Sequence, residues 1–468
     1  MDPTTTTTRT YLVTGGTGFL GQHLVRLLLR EDNTHVRVLA RGPDRSLERQ
    51  GAEMIPGSIL DPHTLAQACE GVDGIFHLAG RVERNLDRSH VLYTLHVTGT
   101  RNVIEAAGAA GVQRIVVAST SGTVGVTTDG RTIPDDRSDH ATEVVRGWPY
   151  YLSKIYAEKS AIAAARRAGV ELILMRPTLL LGPGDTRLSS TRDVLNFLEG
   201  QIPIVPSGGL SFVDVRDAAV AFQIAMERGR ADTTYLLGAI NLTFEAFFER
   251  LESISGIQRP RLAVPNRAAR FGARAMGSLM SALGQESPID PTSVEMAQHF
   301  WYIDWSAAIQ DLNFSPRDPN QTLYDTVQWL RAHQLNRPDD VPTARPGPAQ
   351  PSDHDHPFAP TTRWSDSGNQ WRHHDVERPT TNAYGEPLSS SSSTAPTTAP
   401  VRHNGTAIAH AKPDPMAPYA DYVGQSEIVT EEDYNNGPGL EGLITHTLGG
   451  ALRGLMGGRN RGSAGDHG

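Results

Sequence analysis

The sequence predicts an α/β fold: a doubly wound parallel sheet, then a smaller, mostly helical part, then a disordered C-terminal tail. Three observations carry this. Short, nearly all-apolar runs alternate with segments of helical period, as expected of strands buried on both faces between helices. The first apolar run ends in a glycine-rich turn that opens a helix. Hydrophobic periodicity stops near Leu335, and from Arg337 onward Pro, Ser, Thr and Gly dominate, with runs such as "LSSSSSTAPTTAP". Such a segment buries too little apolar surface to offset the entropy of ordering it.

The elements follow in order. "TYLVTG" (10–15) reads as a buried strand and "FLGQHLVRLLLRED" as the helix after it. "HVRVLAR" (35–41) is a second strand, and "DPHTLAQACEG" opens with Asp-Pro, a helix-start signal. "GIFHLAG" (74–80) is a strand, "TGTRNVIEAAGAAGV" a helix and "RIVVAST" (114–120) a strand. "YYLSKIYAEKSAIAAARRAG" is a helix, followed by the strand "ELILMRPT". After Gly182 the alternation loosens: "SFVDVRDAAVAFQIAMERG" is a turn into a helix and "TTYLLGA" a strand, with helices expected at 243–255, 266–283, 290–301 and 322–335. The expected organisation is a flexible N-terminus (1–9), a nucleotide-binding domain (10–181), a substrate-binding subdomain with returning strand elements (182–336) and a disordered tail (337–468). Ligands of such sheets sit at the carboxyl ends of the strands, which places the substrate in the cleft between the two halves.

Charge and composition bound the function classes. The net charge is −9, and the tail contributes most of it with 16 acidic against 10 basic residues, so there is no electrostatic footprint for nucleic acid. The single cysteine, Cys69, excludes an intramolecular disulfide and points to a reducing compartment. "MDPTTTTTRT" has no apolar signal region and no run reaches 18 apolar residues, so the expectation is a cytoplasmic protein with no integral membrane segment. The tail histidines are scattered, and no metal site is expected. "LEGLITHTLGGALRGLMGG" (440–458) is apolar and glycine-rich, which leaves open a weak contact with a partner or a membrane surface. A homodimer is also left open.

Two motifs carry chemistry. "TGGTGFLG" (Thr14–Gly21) spaces Gly15, Gly18 and Gly21 three residues apart between a strand and a helix. That is a dinucleotide cradle: the turn needs glycine torsions, the pyrophosphate needs close backbone approach, and the helix N-terminus favours anionic charge. Twenty residues after Gly21, where an NAD site places an acid, stands Arg41. A guanidinium suits a 2′-phosphate, so NADP is favoured, with NAD as the alternative. The second motif is "PYYLSK". Of 43 basic residues only three are lysine: Lys154, Lys159 and Lys412. Tyr150 and Lys154 are four apart and share one helix face, where the cation is expected to lower the phenol pKa and make it a usable proton donor.

With "IFHLAG", "GTRNVIEAA", "VVASTSGTVG", "RPTLLLGPGD" and "SFVDVRD" in this order, residues 10 to 335 resemble the extended short-chain dehydrogenase/reductase family. Within it they look most like the dihydroflavonol-4-reductase and 3β-hydroxysteroid dehydrogenase branch. The resemblance implies a Rossmann-type domain with Tyr150 as acid/base. Lys154 would hold the nicotinamide ribose, and Ser121 or its neighbour Thr120 would hold the substrate oxygen. It also implies cofactor contacts from Gly15, Thr17, Gly18, Phe19 and Leu20 in the loop, and from Arg41, Ser58, Ile59, Leu78 and Ala79 at the next strand ends. Pro177 and Thr178 would lie beside the nicotinamide. The chain departs from the family pattern at Ser58, often an aspartate, and at His96, often an asparagine and read here as packing. The implied activity is NADP-dependent reduction of a small, hydrophobic carbonyl compound, or the reverse oxidation. Nucleotide-sugar epimerases and dehydratases that retain NAD use the same residues and form the alternative class, and a non-catalytic NADP-binding scaffold is a third.

Overall fold

The computed structural model describes residues 8–81, 89–263 and 291–335. The expected helix at 266–283 and the tail at 337–468 lie outside the described residues. The first strands and helices are β1 (Arg9–Thr14), α1 (Phe19–Leu28), β2 (Thr34–Ala40), α2 (Arg45–Arg49), β3 (Glu53–Pro56), α3 (Pro62–Cys69) and β4 (Gly74–His77). Next come α4 (Ser89–Tyr93), a π-helical segment (Thr94–Gly99), α5 (Thr100–Ala109), β5 (Arg114–Ala118), α6 (Thr142–Val145), α7 (Pro149–Ala168) and β6 (Glu171–Pro177). With the later β10 (Thr233–Leu237) they build a seven-stranded parallel sheet of order β10-β6-β5-β4-β1-β2-β3, a Rossmann-type α/β fold.

The strands are apolar throughout because both faces are covered. Val13, Phe76, Val116 and Ile173 point to one layer, against Leu24 and Leu28 of α1. Their chain neighbours Leu12, Ile75, Ile115 and Leu172 point to the other, against Val103 and Ala107 of α5 and Ala161 and Ala164 of α7. This is the two-residue side-chain period of a strand with no solvent face.

The segment after residue 178 returns to this sheet. It forms β7 (Leu179–Leu181), α8 (Arg192–Leu198), β8 (Ile204–Val205), β9 (Gly209–Asp214) and α9 (Val215–Arg228) before β10. Ala218, Phe222 and Ala225 of α9 complete the layer over Val13 and Phe76, and β10 pairs with β6 with Tyr235 opposite Met175. Beyond it lie β11 (Ile240–Thr243), α10 (Phe244–Ser255), β12 (Leu262–Ala263), α11 (Pro291–Met296), α12 (Ser306–Leu312) and α13 (Pro319–His333). A small sheet β11-β9-β7 and a separate core of Phe197, Phe212, Phe247, Phe248, Leu323 and Val327 sit in this part.

Two differences from the sequence reading have physical causes. The helix expected from Thr98 begins at Ser89, and its middle is π-helical. "VLYTLHV" spaces its apolar residues irregularly and is rich in β-branched and aromatic types, so local propensity hides a helix that tertiary packing holds together. Strand β3 was missed because it is a four-residue edge strand with polar Glu53 and terminal Pro56, the composition that blunts a sheet edge. Among the described residues, no helix is long and apolar enough to cross a membrane.

Candidate active site

The loop between β1 and α1 is packed on backbone. Gly15 has φ +73°, and a Cβ there would lie 2.6 Å from the Ala79 amide nitrogen. Thus Gly15 and the Leu78–Ala79 segment that leaves β4 touch directly. A Cβ on Gly21 would lie 2.2 Å from the Gly15 carbonyl oxygen, and one on Gly18 3.2 Å from the same atom. Thr17, Phe19 and Leu20 complete the turn: the Thr17 carbonyl accepts from Gln22 Nε2 at 3.2 Å, Phe19 packs on His23, and Leu20 enters the core. The result is a concave strip of backbone at a helix N-terminus, which fits a pyrophosphate. Arg41 is exposed just past β2. Ser58 follows β3, its hydroxyl accepting from the Leu60 amide at 3.2 Å, and Ile59 is buried beside Gly99.

Next to Ala79, Gly80 lies against the helix that carries Tyr150 and Lys154. A Cβ on Gly80 would lie 3.3 Å from both His96 Nε2 and Lys154 Nζ. Helix α7 starts at Pro149 and ends at Gly169 in the left-handed conformation, a proline start and glycine stop. Its first turn carries Tyr150, and Lys154 lies one turn on. The Lys154 ammonium donates to the Ala118 carbonyl at 3.1 Å, and burial lowers its pKa to about 8, against the opposing pull of Glu158. The expected lowering of the Tyr150 pKa is not found. Burial pushes the phenol up, and Tyr151 adds to this. Desolvation of the phenolate dominates in this apolar setting, and the Lys154 ammonium is directed to the Ala118 carbonyl.

Tyr150, Thr120, Ser121, Pro177 and Thr178 all line one cavity of about 200 Å³ at the carboxyl ends of β5 and β6. Thr120 caps the turn Ser121–Thr123, its hydroxyl accepting from the Gly122 amide at 3.3 Å. Ser121 is 5% exposed at the start of that turn. Thr178 is tied to the Leu237 carbonyl through its hydroxyl at 3.0 Å. The rest of the wall is largely apolar and includes five aromatic rings: Trp148 stacks on Trp301 with centroids 5.6 Å apart, Tyr151 lies 4.9 Å from Trp301, and Phe244 and Phe247 face the same space. Among the described lining residues, Asp193 is the one carboxylate and no Lys, Arg or His is present.

His96, read as packing, is more than that. Its Nε2 accepts from the Arg81 amide at 3.1 Å, which leaves Nδ1–H to donate to Ser153 Oγ at 2.9 Å; Ser153 in turn donates to the Tyr150 carbonyl at 2.7 Å. Burial, then Lys154 and His77, hold the imidazole neutral. His77 is likewise buried between the Thr14 and Thr100 hydroxyls, at 2.7 and 2.9 Å, and burial takes its pKa to about 3. His96→Leu strands the Arg81 amide and Ser153, and is expected to cost about 1–3 kcal/mol of stability. His96→Asn, whose amide overlays Nδ1 and can keep the Ser153 bond but falls short of the Arg81 amide, should recover part of that in a denaturant melt. Equal losses in both variants would show the hydrogen bonds to be unimportant.

Sequence reasoning missed Glu158, Arg176 and His140. Glu158 is 2% exposed and holds Arg176 through two bonds, at 2.9 and 2.6 Å, and His140 at 2.7 Å. Burial opposes its charge, but Arg176 and His140 hold its pKa at about 2. The signal was present, because Glu158 continues the Tyr150–Lys154 face by one more turn.

Comparison with known proteins gives the family and the fold. The profile of the NAD-dependent epimerase/dehydratase family matches residues 11–238. A protein called putative dihydroflavonol 4-reductase from Synechocystis is 31% identical over 330 residues, covering 69% of this chain and 95% of that one. The chain belongs to the NAD-dependent epimerase/dehydratase family. The family members most like it include sterol demethylase protein B of Methylococcus capsulatus, 33% identical over 69% of this chain and 98% of that one. The family fold is seen in dTDP-glucose 4,6-dehydratase from Streptomyces venezuelae, solved with NAD bound: the TM-score is 0.55 at 22% identity, covering 70% of this chain and 98% of that one. The protein is thus an NAD(P)-binding extended short-chain dehydrogenase/reductase, in a family of oxidoreductases, epimerases and dehydratases.

Proposed function

We propose that the protein is an NADP-dependent reductase of a neutral, hydrophobic carbonyl compound, able to run in reverse on the alcohol. The observation that carries this is the cavity in which Tyr150 and Ser121 share walls with Trp148, Tyr151, Trp301 and Phe247. Its body suits an apolar, ring-containing substrate. Asp193, the one carboxylate among the described lining residues, is adverse to the diphosphate of a nucleotide sugar, which speaks against the epimerase reading.

The cofactor would lie on the Gly15–Leu20 loop, past Ser58–Ile59 and Leu78–Ala79, toward Pro177–Thr178, and when bound it supplies the hydride. The protein's own residues do the rest. Ser121 donates a hydrogen bond to the substrate oxygen and fixes its position. Its neighbour Thr120 already uses its oxygen to cap a turn. Tyr150, kept neutral by burial, starts as the proton donor that reduction requires and delivers its proton as negative charge grows on that oxygen. Lys154 stabilises the phenolate left behind. The aromatic walls exclude water and hold the carbonyl in place.

The deciding experiment follows loss of nicotinamide absorbance with NADPH and with NADH against ketones, aldehydes and nucleotide sugars. Turnover of a nucleotide sugar, with none of the apolar carbonyl compounds, would overturn the reading. NADPH is expected to bind more tightly than NADH. Arg41→Ala should narrow the ratio by roughly 10- to 100-fold, because one charge-assisted contact is worth about 1.5–3 kcal/mol. Equal affinities in the unmutated protein would remove Arg41 from the site.

A further inference from the structure

Glu158 does not line the cavity, yet three segments that do are fastened to it. Its Oε1 accepts from Ser119 Oγ at 2.5 Å and Thr123 Oγ1 at 3.1 Å, the residues that bracket Thr120–Ser121–Gly122. Both of its oxygens bind Arg176, which immediately precedes Pro177–Thr178. Its backbone belongs to α7, one turn beyond Lys154. The serine segment, the strand end beside the nicotinamide site and the Tyr150 helix therefore meet at one carboxylate.

We propose that Glu158 is a positioning residue: it holds the Ser121 segment and the Pro177–Thr178 strand end in register with Tyr150, and it is the buried counter-charge of Lys154. Register matters because a reacting group displaced by about 1 Å can lose roughly 100-fold in rate. The charge matters because, among the described residues, the other groups around the ammonium give it no anion. They are the Ala118 carbonyl of β5, neutral His77 of β4 and neutral His96 of the π-helical segment, with the neutral Tyr150 phenol one turn back on α7. On the far side of Glu158, Arg176 and His140 hold the carboxylate ionised. Burial alone depresses the Lys154 pKa, and Glu158 is what opposes it. Lys154 stays protonated below its pKa, so losing the Glu158 charge moves the upper limit of the protonated window to lower pH.

The turnover arm of the test rests on the reductase reading, but the lysine arm needs no substrate. The full chain has three lysines, so labelling lysine with ¹³C at Cε gives three signals to titrate, and Lys154→Met identifies the relevant one. In the unmutated protein the Lys154 midpoint is expected near pH 8. Glu158→Gln should lower it by about one unit. Glu158→Asp keeps the charge but is too short to hold all its partners, so it should leave the midpoint in place and lower turnover by about 10- to 100-fold with little change in cofactor KM. A Lys154 midpoint unmoved in Glu158→Gln, or wild-type turnover in Glu158→Asp, would overturn the proposal. If Glu158→Gln does not fold, the Asp variant alone decides. Tyr150→Phe, assayed in parallel, separates this outcome from failure of the reductase reading: full activity there removes that reading and leaves the titration to be judged by itself.

Discussion

Tyr150→Phe is expected to lower turnover by at least about 100-fold, the range of a lost general acid, while cofactor affinity and melting temperature stay close to the parent. The change removes one oxygen and keeps the ring, so the edge-on packing with His96 at 5.8 Å and Tyr151 at 5.0 Å survives. The phenol lines the cavity beside Ser121, and burial keeps it protonated, so its hydroxyl is the group placed to give a proton. Steady-state assays on the best carbonyl substrate test this, and a variant with near-parental kcat would remove Tyr150 from the chemistry.

Gly21→Ala is expected to abolish cofactor binding and to cost about 1–3 kcal/mol of stability, as overpacking does. The added carbon would sit 2.2 Å from the Gly15 carbonyl oxygen, 2.7 Å from the Gly16 Cα and 2.9 Å from the Gly15 carbonyl carbon. All three atoms are backbone, so no side chain can swing away; the turn itself must open, and the strip of amides that would receive the pyrophosphate is lost. Gly42→Ala is the control, since nothing lies within 4 Å of a Cβ there. Calorimetric titration with NADPH separates the two. Parental affinity in Gly21→Ala would show that the loop is not the cofactor cradle.

The central sheet was legible because its strands are short, apolar and punctuated. Successive residues such as Leu12 and Val13, on opposite faces, both enter cores, so no polar face blurs the pattern. The glycine spacing and the Tyr150–Lys154 pair were legible because each is set by local geometry: a turn and one helix face. Less local features were hidden. The π-helical segment that carries His96 has no propensity signature, and the Glu158–Arg176 pair joins residues 18 apart in the chain that only the helix–strand packing brings together. The sign of the Tyr150 shift was also out of reach, because it depends on how much water the aromatic neighbours remove, and that is a property of the assembled pocket.

Helix α9 and strand β10 have a consequence for the order of events as the chain leaves the ribosome. When residue 181 has emerged, six of the seven strands exist, but β6 has no partner on its outer side and the layer over Val13, Phe76 and Val116 lacks Ala218, Phe222 and Ala225. A nascent chain of that length offers an apolar sheet face and an open strand edge, the two features that recruit wrong partners. The seven-stranded sheet therefore cannot be completed vectorially from residues 1–181; it waits for the stretch to Leu237, by way of the β7–β9 detour through the small sheet. Expressed as a separate fragment, residues 1–181 should precipitate or be held by chaperones, and a co-expressed 182–335 should rescue them as a non-covalent pair.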